Sequence, residues 1–464
     1  MPKVNRDLFY KLASELSEER VQAAVQIIKE LSALELPASN EEWKYVLNRL
    51  IKGLSSDRNG ARLGFSLCLT EVVNLAIESA GDSSKTAPEC LPDVAHFIEL
   101  LSSTLSLEGD NSGKKRKGKE ERGLLFGKLF GLQCLLNEPL YTNVFLNKGK
   151  TVSEFSLVFM QQLLELSQYK NWIREPCLYT LFETITKLIP FANDKFIASV
   201  LQLLDQANLT LTNEGLAIYL SLLHRENKVH LGGVALQNKG WKENDPLARG
   251  NLPLLTEVLR QSSASNDEET NGVTQANWSP RLHFVWKILL PIVCSGPQED
   301  NTGHVSKKRK KEKDMIRFPE FWQMAVDESF FKEKSSSERK YLGFVIFAET
   351  IKLVAPQYTP HIFSRNLMRT LINQTSDSKR MLHKISQKTL NSIVDTCQGD
   401  NNDKLVPCLR ALLFGDNGSI NFDKLTKSKT ASKLISTKDL DETVLGDLIR
   451  MLTSEIPEDD EQDM

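Results

Sequence analysis

The side chains with the most obvious chemistry in this sequence are cations in two dense runs. The first holds Lys114, Lys115, Arg116, Lys117 and Lys119, and the second holds Lys307, Lys308, Arg309, Lys310, Lys311 and Lys313. Neither run has an apolar period, so both fall in expected loops, near 108–120 and 295–314; a third such loop spans 261–277. Four or five cations on a flexible segment suit the acidic groove of a nuclear import receptor or a nucleic-acid backbone, because each cation can pair with a carboxylate or displace a counterion. A solvated charged loop is the plainer alternative. A separate ladder, Arg49, Lys52, Arg58 and Arg62, could line a groove and grip phosphate through charge, or could be a solvated helix face. No aromatic residue interleaves with these four, so base stacking is not expected there.

Catalytic constellations fail one by one. Gly123-Leu-Leu-Phe-Gly-Lys-Leu129 approaches a phosphate loop but has three residues between its glycines instead of four. It also lacks the Ser or Thr after Lys128, so helix packing explains it better. His224 and His230 have no Glu or Cys to complete a metal set, and no His-Glu-x-x-His, Gly-x-Ser-x-Gly or Cys-x-x-Cys occurs. Phe414-Gly-Asp-Asn-Gly-Ser419 is similar to the Tyr-Gly-Asp-Thr-Asp-Ser carboxylate motif of family B DNA polymerases, with Gly418 where the second carboxylate belongs. Two-metal nucleotidyl transfer needs clustered carboxylates; Asp416 alone does not supply them, and Asp-Asn-Gly is an ordinary turn. The reading is therefore not an enzyme, with no metal, cofactor or small-molecule substrate.

The elements that must carry these residues are helical. Apolar residues recur at helical spacing in Leu8, Phe9, Leu12, Ala13 and Leu16, in Val21, Ala24, Val25 and Ile28, and in Val46, Leu47, Leu50, Ile51 and Leu54. The period continues through Leu63, Leu67, Val72 and Ala76, and strand-type alternation is hard to find, so the fold class is all-α. Helix starts are expected at Ser39 or Asn40, ahead of Glu41 and Glu42, and at Ser153, ahead of the run from Phe155 to Leu166. Four segments beginning at Arg58, Arg122, Trp172 and Glu338 each start polar and basic and turn long and apolar. Gly64, Gly127 and Gly343 fall at matching places in three of them, where a missing side chain lets helices approach closely. The pattern predicts a HEAT/armadillo-like α-solenoid of stacked helical hairpins over 1–440, followed by a terminal helix and acidic tail over 441–464.

At 464 residues the chain is too long for one growing core, and its 41% hydrophobic and 25% charged residues are an ordinary globular composition tilted toward helix. A net charge of -2 conceals the local imbalance between the basic runs and the acidic stretch Glu455 to Asp463. Seven scattered cysteines read as reduced core thiols. The first twelve residues lack a secretory apolar run, and the most apolar stretch, His283 to Cys294, carries Lys287 and is expected to break at Pro291. A soluble protein with no membrane partner follows as the expectation.

Val4 to Phe9, Leu31 to Leu34, Tyr45 to Arg58 and Ala61 to Glu71 resemble the N-terminal region of the DNA polymerase phi and Myb-binding protein 1A family, with a close likeness to its fungal members. Glu121 to Gln133 and Ser337 to Tyr341 extend the likeness, which covers the chain to about residue 415; the Arg49 to Glu71 block is its most specific part. The resemblance implies a HEAT-like fold, a nucleolar location and no polymerase site. It also implies a part in ribosomal RNA production, ribosome assembly and transcriptional co-regulation. Members are normally about twice as long. The expected function is thus a non-catalytic nucleolar scaffold in ribosome biogenesis. Its expected partners are the pre-ribosomal particle or its assembly factors, ribosomal RNA or ribosomal DNA, and a nuclear import receptor. A co-regulator gripping a helical peptide in an apolar groove is the alternative; template-directed DNA synthesis is a third.

Overall fold

The structure is a computed structural model that describes residues 3–58, 60–81, 87–108, 118–138, 140–223, 240–261, 280–295, 315–398, 402–437 and 440–454. Among these the protein is all-α; the extended structure includes a two-residue antiparallel pairing, Leu146–Asn147 with Thr151–Val152, and a bridge between Ala248 and Met315. The chain divides into two compact units, Met1–Ala207 and Asn208–Met464.

The first unit contains α1 (Leu8–Lys11), α2 (Ser17–Ser32), α3 (Asn40–Gly53), α4 (Ala61–Gly81) and α5 (Val94–Thr104). It continues with α6 (Lys119–Cys134), α7 (Leu140–Phe145), α8 (Phe155–Ser167), α9 (Asn171–Leu188) and α10 (Asp194–Gln206). Hairpins form because the glycines fall where two helices touch. A Cβ on Gly53 would stand 2.2 Å from the Phe65 ring, joining α3 to α4, and one on Gly131 would stand 2.4 Å from Leu101, joining α6 to α5. Successive hairpins place α4, α6 and α9 side by side in one direction. Arg62 at the start of α4 meets Phe126 midway along α6, and farther along both helices the Cys134 thiol donates to the Ser66 carbonyl at 3.4 Å. Phe126 meets Trp172 near the start of α9, and Gln133 Nε2 donates to Thr180 Oγ1 at 2.9 Å farther along. Helix α2 joins this row, since Arg20 lies against Gly64 at one end of α4 while Leu31 and Leu75 share a pocket wall near the other.

The matched glycines behave as their spacing predicts. A Cβ on Gly64 would come within 2.1 Å of the Leu12 carbonyl oxygen, one on Gly127 within 3.2 Å of the Leu54 carbonyl carbon, and one on Gly343 within 2.7 Å of the Phe331 ring. Gly123 packs in the same way over the Ser55 carbonyl oxygen, at 2.6 Å, so the near phosphate loop is a helix-packing surface.

Apolar positions that recur at helical spacing differ in burial. Val46, Leu47, Leu50, Ile51 and Leu54 are fully buried, each contributing roughly 1.5–3 kcal/mol. By contrast Leu16, Val21, Val25, Leu63 and Leu67 are exposed; the buried face of α2 is Ala23, Ala24, Ile27 and Leu31. The sequence period identifies these stripes correctly as helical but does not report burial: Ala24, Val72 and Ala76 of the same stripes are buried, and the covered sector of each helix is set by its neighbours. The two serines expected as caps do not cap: Ser39 Oγ donates to the Glu35 carbonyl and Ser153 Oγ to that of Val144. Side-chain caps occur instead at Asp93, Asn193 and Ser336.

The second unit holds α11 (Asn213–Leu223), α12 (Leu252–Gln261), α13 (Val285–Ser295), α14 (Phe318–Phe321), a π-helical stretch (Trp322–Asp327) and α15 (Glu328–Phe330). Then come α16 (Ser337–Leu353), α17 (Thr359–Ile362), α18 (Arg365–Thr375), α19 (His383–Cys397), α20 (Leu405–Leu413), α21 (Phe422–Thr426), α22 (Thr430–Ile435) and α23 (Glu442–Ser454). A second row runs through it, with α11 against α13, α13 against α16, α16 against α19 and α19 against α22. Pro291 does not break α13; the helix runs through it. Pro291 and Lys287 both lie on the exposed face, so the Lys287 carbonyl left without its helical donor can turn to water. The core of this unit is aromatic: Trp286, Phe321, Trp322, Phe330, Phe344 and Phe347 are fully buried.

By length and composition α4 could cross a bilayer, with a mean hydropathy of 1.3 over Ala61–Ala80, but half of it is buried against its neighbours. Six of the seven cysteines are buried, Cys90 is half-buried and none forms a disulfide. Burial pushes the Cys68, Cys134, Cys177 and Cys294 thiols up to about 12, so they behave as apolar packing groups.

Candidate nucleic-acid interface

The four cations of the expected ladder fall on α3, on the connection that follows it and on α4. Arg49 and Lys52 lie three residues apart on α3, Arg49 half-buried and Lys52 exposed. Arg58 is exposed on the connection to α4. Arg62, on the first turn of α4, turns toward α6: its Nε donates to the Leu54 carbonyl at 3.2 Å, and its guanidinium lies over the Phe126 ring, 5.4 Å from the centroid. Burial pulls the Arg62 pKa below its usual value, with the nearby charge of Arg122 adding to the effect and Asp57 opposing it.

Arg62 is thereby drawn into a cluster the sequence does not display. Arg122, exposed on the first turn of α6, lies 5.7 Å from the Phe126 centroid and 5.5 Å from that of Trp172, which sits at the start of α9. The two rings are themselves 5.2 Å apart. No aromatic interleaves with the four cations along the sequence, but the fold places two rings beside one of them, Arg62. Phe126 and Trp172 are some 60 and 110 residues from Arg62 in the chain, and the parallel packing of α4, α6 and α9 is what brings them together. Phe126 looks like an ordinary core residue in the apolar run of α6. The available signal was the shared polar and basic start of the segments at Arg58, Arg122 and Trp172.

Two ion pairs frame the cluster. Lys119, the last cation of the first basic run, pairs with Asp57, which holds the Asp57 carboxyl below its ordinary range, and Lys170 pairs with Glu121 at 3.5 Å. Both pairs are at the surface and contribute little to stability. The starts of three helices of 16 to 21 residues converge here, so the positive ends of their dipoles reinforce the arginines. The arrangement can hold an anion beside flat apolar surface.

The remaining runs, Lys114 to Lys117 and Lys307 to Lys313, with His224, His230 and the acidic tail, lie outside the described residues. Among the described residues, no group of three or more His, Cys, Asp and Glu is placed to hold a metal ion. Asp416 is an exposed residue of a turn in which Gly418 N–H donates to the Gly415 carbonyl and Ser419 N–H to that of Leu412, both at 2.8 Å. A Cβ on Gly418 would meet the Ala411 carbonyl oxygen at 2.6 Å, so this glycine is required by the turn.

The chain is 56% identical over 462 residues to the rDNA transcriptional regulator POL5 of Saccharomyces cerevisiae, covering 96% of this chain and 45% of that protein. It is 31% identical to rDNA transcriptional regulator pol5 of Schizosaccharomyces pombe, covering 98% of this chain and 42% of that one, and 20% identical to Myb-binding protein 1A of Mus musculus over 85% of this chain. It therefore spans less than half the length of the curated relatives it matches. The sequence profile described as DNA polymerase phi matches residues 45–464, and by this match and the yeast identity the chain belongs to the DNA polymerase phi family.

Proposed function

We propose that this chain is a non-catalytic nucleolar scaffold of ribosome biogenesis, each unit a stack of HEAT-like helical hairpins, that binds ribosomal RNA or ribosomal DNA. The observation that carries the reading is the Arg62, Arg122, Phe126 and Trp172 cluster at the converging starts of α4, α6 and α9. Phosphate is attracted by two guanidinium groups and three helix dipoles, while half-buried rings offer apolar surface beside them. The two fungal relatives named as rDNA transcriptional regulators support the nuclear setting and the ribosomal DNA connection. The basic runs Lys114 to Lys117 and Lys307 to Lys313 serve, in this reading, as import signals. Crosslinking the protein in cells recovers ribosomal RNA or ribosomal DNA with assembly factors; recovery at background level refutes the proposal. With purified protein, Arg122→Glu together with Arg58→Glu weakens binding to RNA and DNA alike and flattens its salt dependence by about two charges.

A second reading, a co-regulator that binds protein partners, is favoured by the relatives named Myb-binding protein. Loss of a protein partner with ribosomal nucleic-acid recovery intact would select it. DNA synthesis is the least supported reading, since Asp416 is an exposed turn residue and, among the described residues, belongs to no group of three or more metal-ligating side chains. Primer extension by the purified chain, abolished by Asp416→Ala, would reinstate it.

A further inference from the structure

The parallel row of α2, α4, α6 and α9 leaves one sector of each helix uncovered. On α4 the directions of its neighbours are fixed: Phe65 meets Gly53 of α3, Gly64 meets Leu12 and Arg20, and Ser66 accepts from Cys134 of α6. The sector between α2 and α6 is left over, and it carries Leu63 and Leu67, 58% and 42% exposed. On α2, Arg20, Ala24 and Leu31 turn toward α4. Val21 and Val25, roughly 100° farther round the helix, therefore emerge on the same side as the leucines; they are 48% and 58% exposed. Phe130 of α6 is half-buried beyond them, and Tyr179 of α9 is 41% exposed.

A single exposed Leu or Val is ordinary, but large apolar side chains on adjacent helices of one layer form a patch of the kind that marks a binding surface. Its aliphatic part, Val21, Val25, Leu63 and Leu67, itself carries neither charge for phosphate nor a ring on which bases could stack. At the end where the helices begin, however, the strip runs into the Arg62 and Arg122 guanidinium groups. We propose that this strip docks an amphipathic helix of a partner protein, apolar along one face and acidic at the end that meets Arg62 and Arg122. An α-helix matches the strip because its i, i+3, i+4, i+7 residues form a comparable apolar stripe, and charge complementarity at one end sets its direction. The proposal deepens the co-regulator reading, on which it rests, and shares Arg62 and Arg122 with the proposed nucleic-acid site. Substitutions at Leu63 and Leu67 act on the strip and not on the arginines, so failure of one reading is told apart from failure of the other.

The test uses the whole chain and a defined probe. This is a fluorescein-labelled helical peptide of about 18 residues with leucines at i, i+3, i+4, i+7 spacing and glutamates clustered in its first two turns, followed by anisotropy. Saturable binding is expected. The double substitution Leu63→Glu with Leu67→Glu should weaken it by at least about tenfold, because it places charge in the apolar contact. Both positions are exposed, so far-UV circular dichroism and Tm should stay at the native values. Arg122→Glu should weaken the acidic peptide and improve binding of a version with lysines in place of the glutamates. Absence of saturable binding, or affinity unchanged by the two leucine substitutions, overturns the proposal. So does preferential binding of a single-stranded RNA that is lost with the same leucine variants.

Discussion

The guanidinium of Arg62 is held at two points by different helices: Nε by the Leu54 carbonyl at the end of α3, and its flat face by the Phe126 ring of α6, 5.4 Å away. One side chain thus ties three helices together at the edge of the cationic cluster. Arg62→Ala should lower stability by about 1–2 kcal/mol, read as a shift in Tm, because both a part-buried hydrogen bond and a ring contact are lost. Arg58→Ala, on the exposed connection, should stay within about 0.5 kcal/mol of the native protein.

Gly64 sets the approach of α4 to the end of α1. A methyl group there would sit 2.1 Å from the Leu12 carbonyl oxygen, and backbone cannot step aside as a flexible side chain can. Gly64→Ala should destabilise the first unit by roughly 2–3 kcal/mol. Gly446 is a control within a helix, with nothing within 4 Å of an added Cβ, and Gly446→Ala should be neutral or stabilising by up to about 1 kcal/mol. Thermal unfolding of the two variants would decide.

Asp327 is buried at the end of the π-helical stretch and serves the start of another helix. Its carboxylate accepts Ser364 Oγ at 2.5 Å, Asn366 Nδ2 at 2.8 Å and Leu367 N–H at 3.0 Å, and Trp322 Nε1 donates to Ser364 Oγ at 3.2 Å. Asp327→Ala removes a cap and leaves several buried donors unsatisfied, so a loss of about 3 kcal/mol is expected in urea unfolding. Asp327→Asn, which keeps one acceptor oxygen, should lose less.

The start of α5 is pH-sensitive in both directions. His96 Nδ1 lies 2.9 Å from Asp93 Oδ1, and that carboxylate raises the His96 pKa above its ordinary 6.5. The His96 backbone N–H, followed by its ring, holds Asp93 below the ordinary 3.8. The raised histidine contributes while protonated, so its share is lost as pH rises through its folded value. The lowered carboxylate contributes while ionised, so its share is lost as pH falls through its own. An NMR titration should show the His96 midpoint above 6.5, and Asp93→Asn should bring it back toward that value.

How much of this molecule was legible in the chain can be judged from particular residues. The 3.6-residue period of Val46, Leu47, Leu50, Ile51 and Leu54, the scarcity of strand alternation and the matched placing of Gly64, Gly127 and Gly343 were sufficient for an all-α fold with close helix contacts. They suffice because helix geometry and the steric role of glycine are local properties. The turn at Asp416 was legible for the same reason. The same period could not decide whether Val21, Val25, Leu63 and Leu67 are covered, since it reports only where a side chain points about its own axis. Whether a neighbour occupies that sector depends on helices distant in the chain. Nor could it join Arg62 to Phe126 and Trp172, because cation and rings reach one another only when three separately specified helices align in parallel. Local physics therefore determined the elements, and long-range packing decided which of their faces remain free to bind.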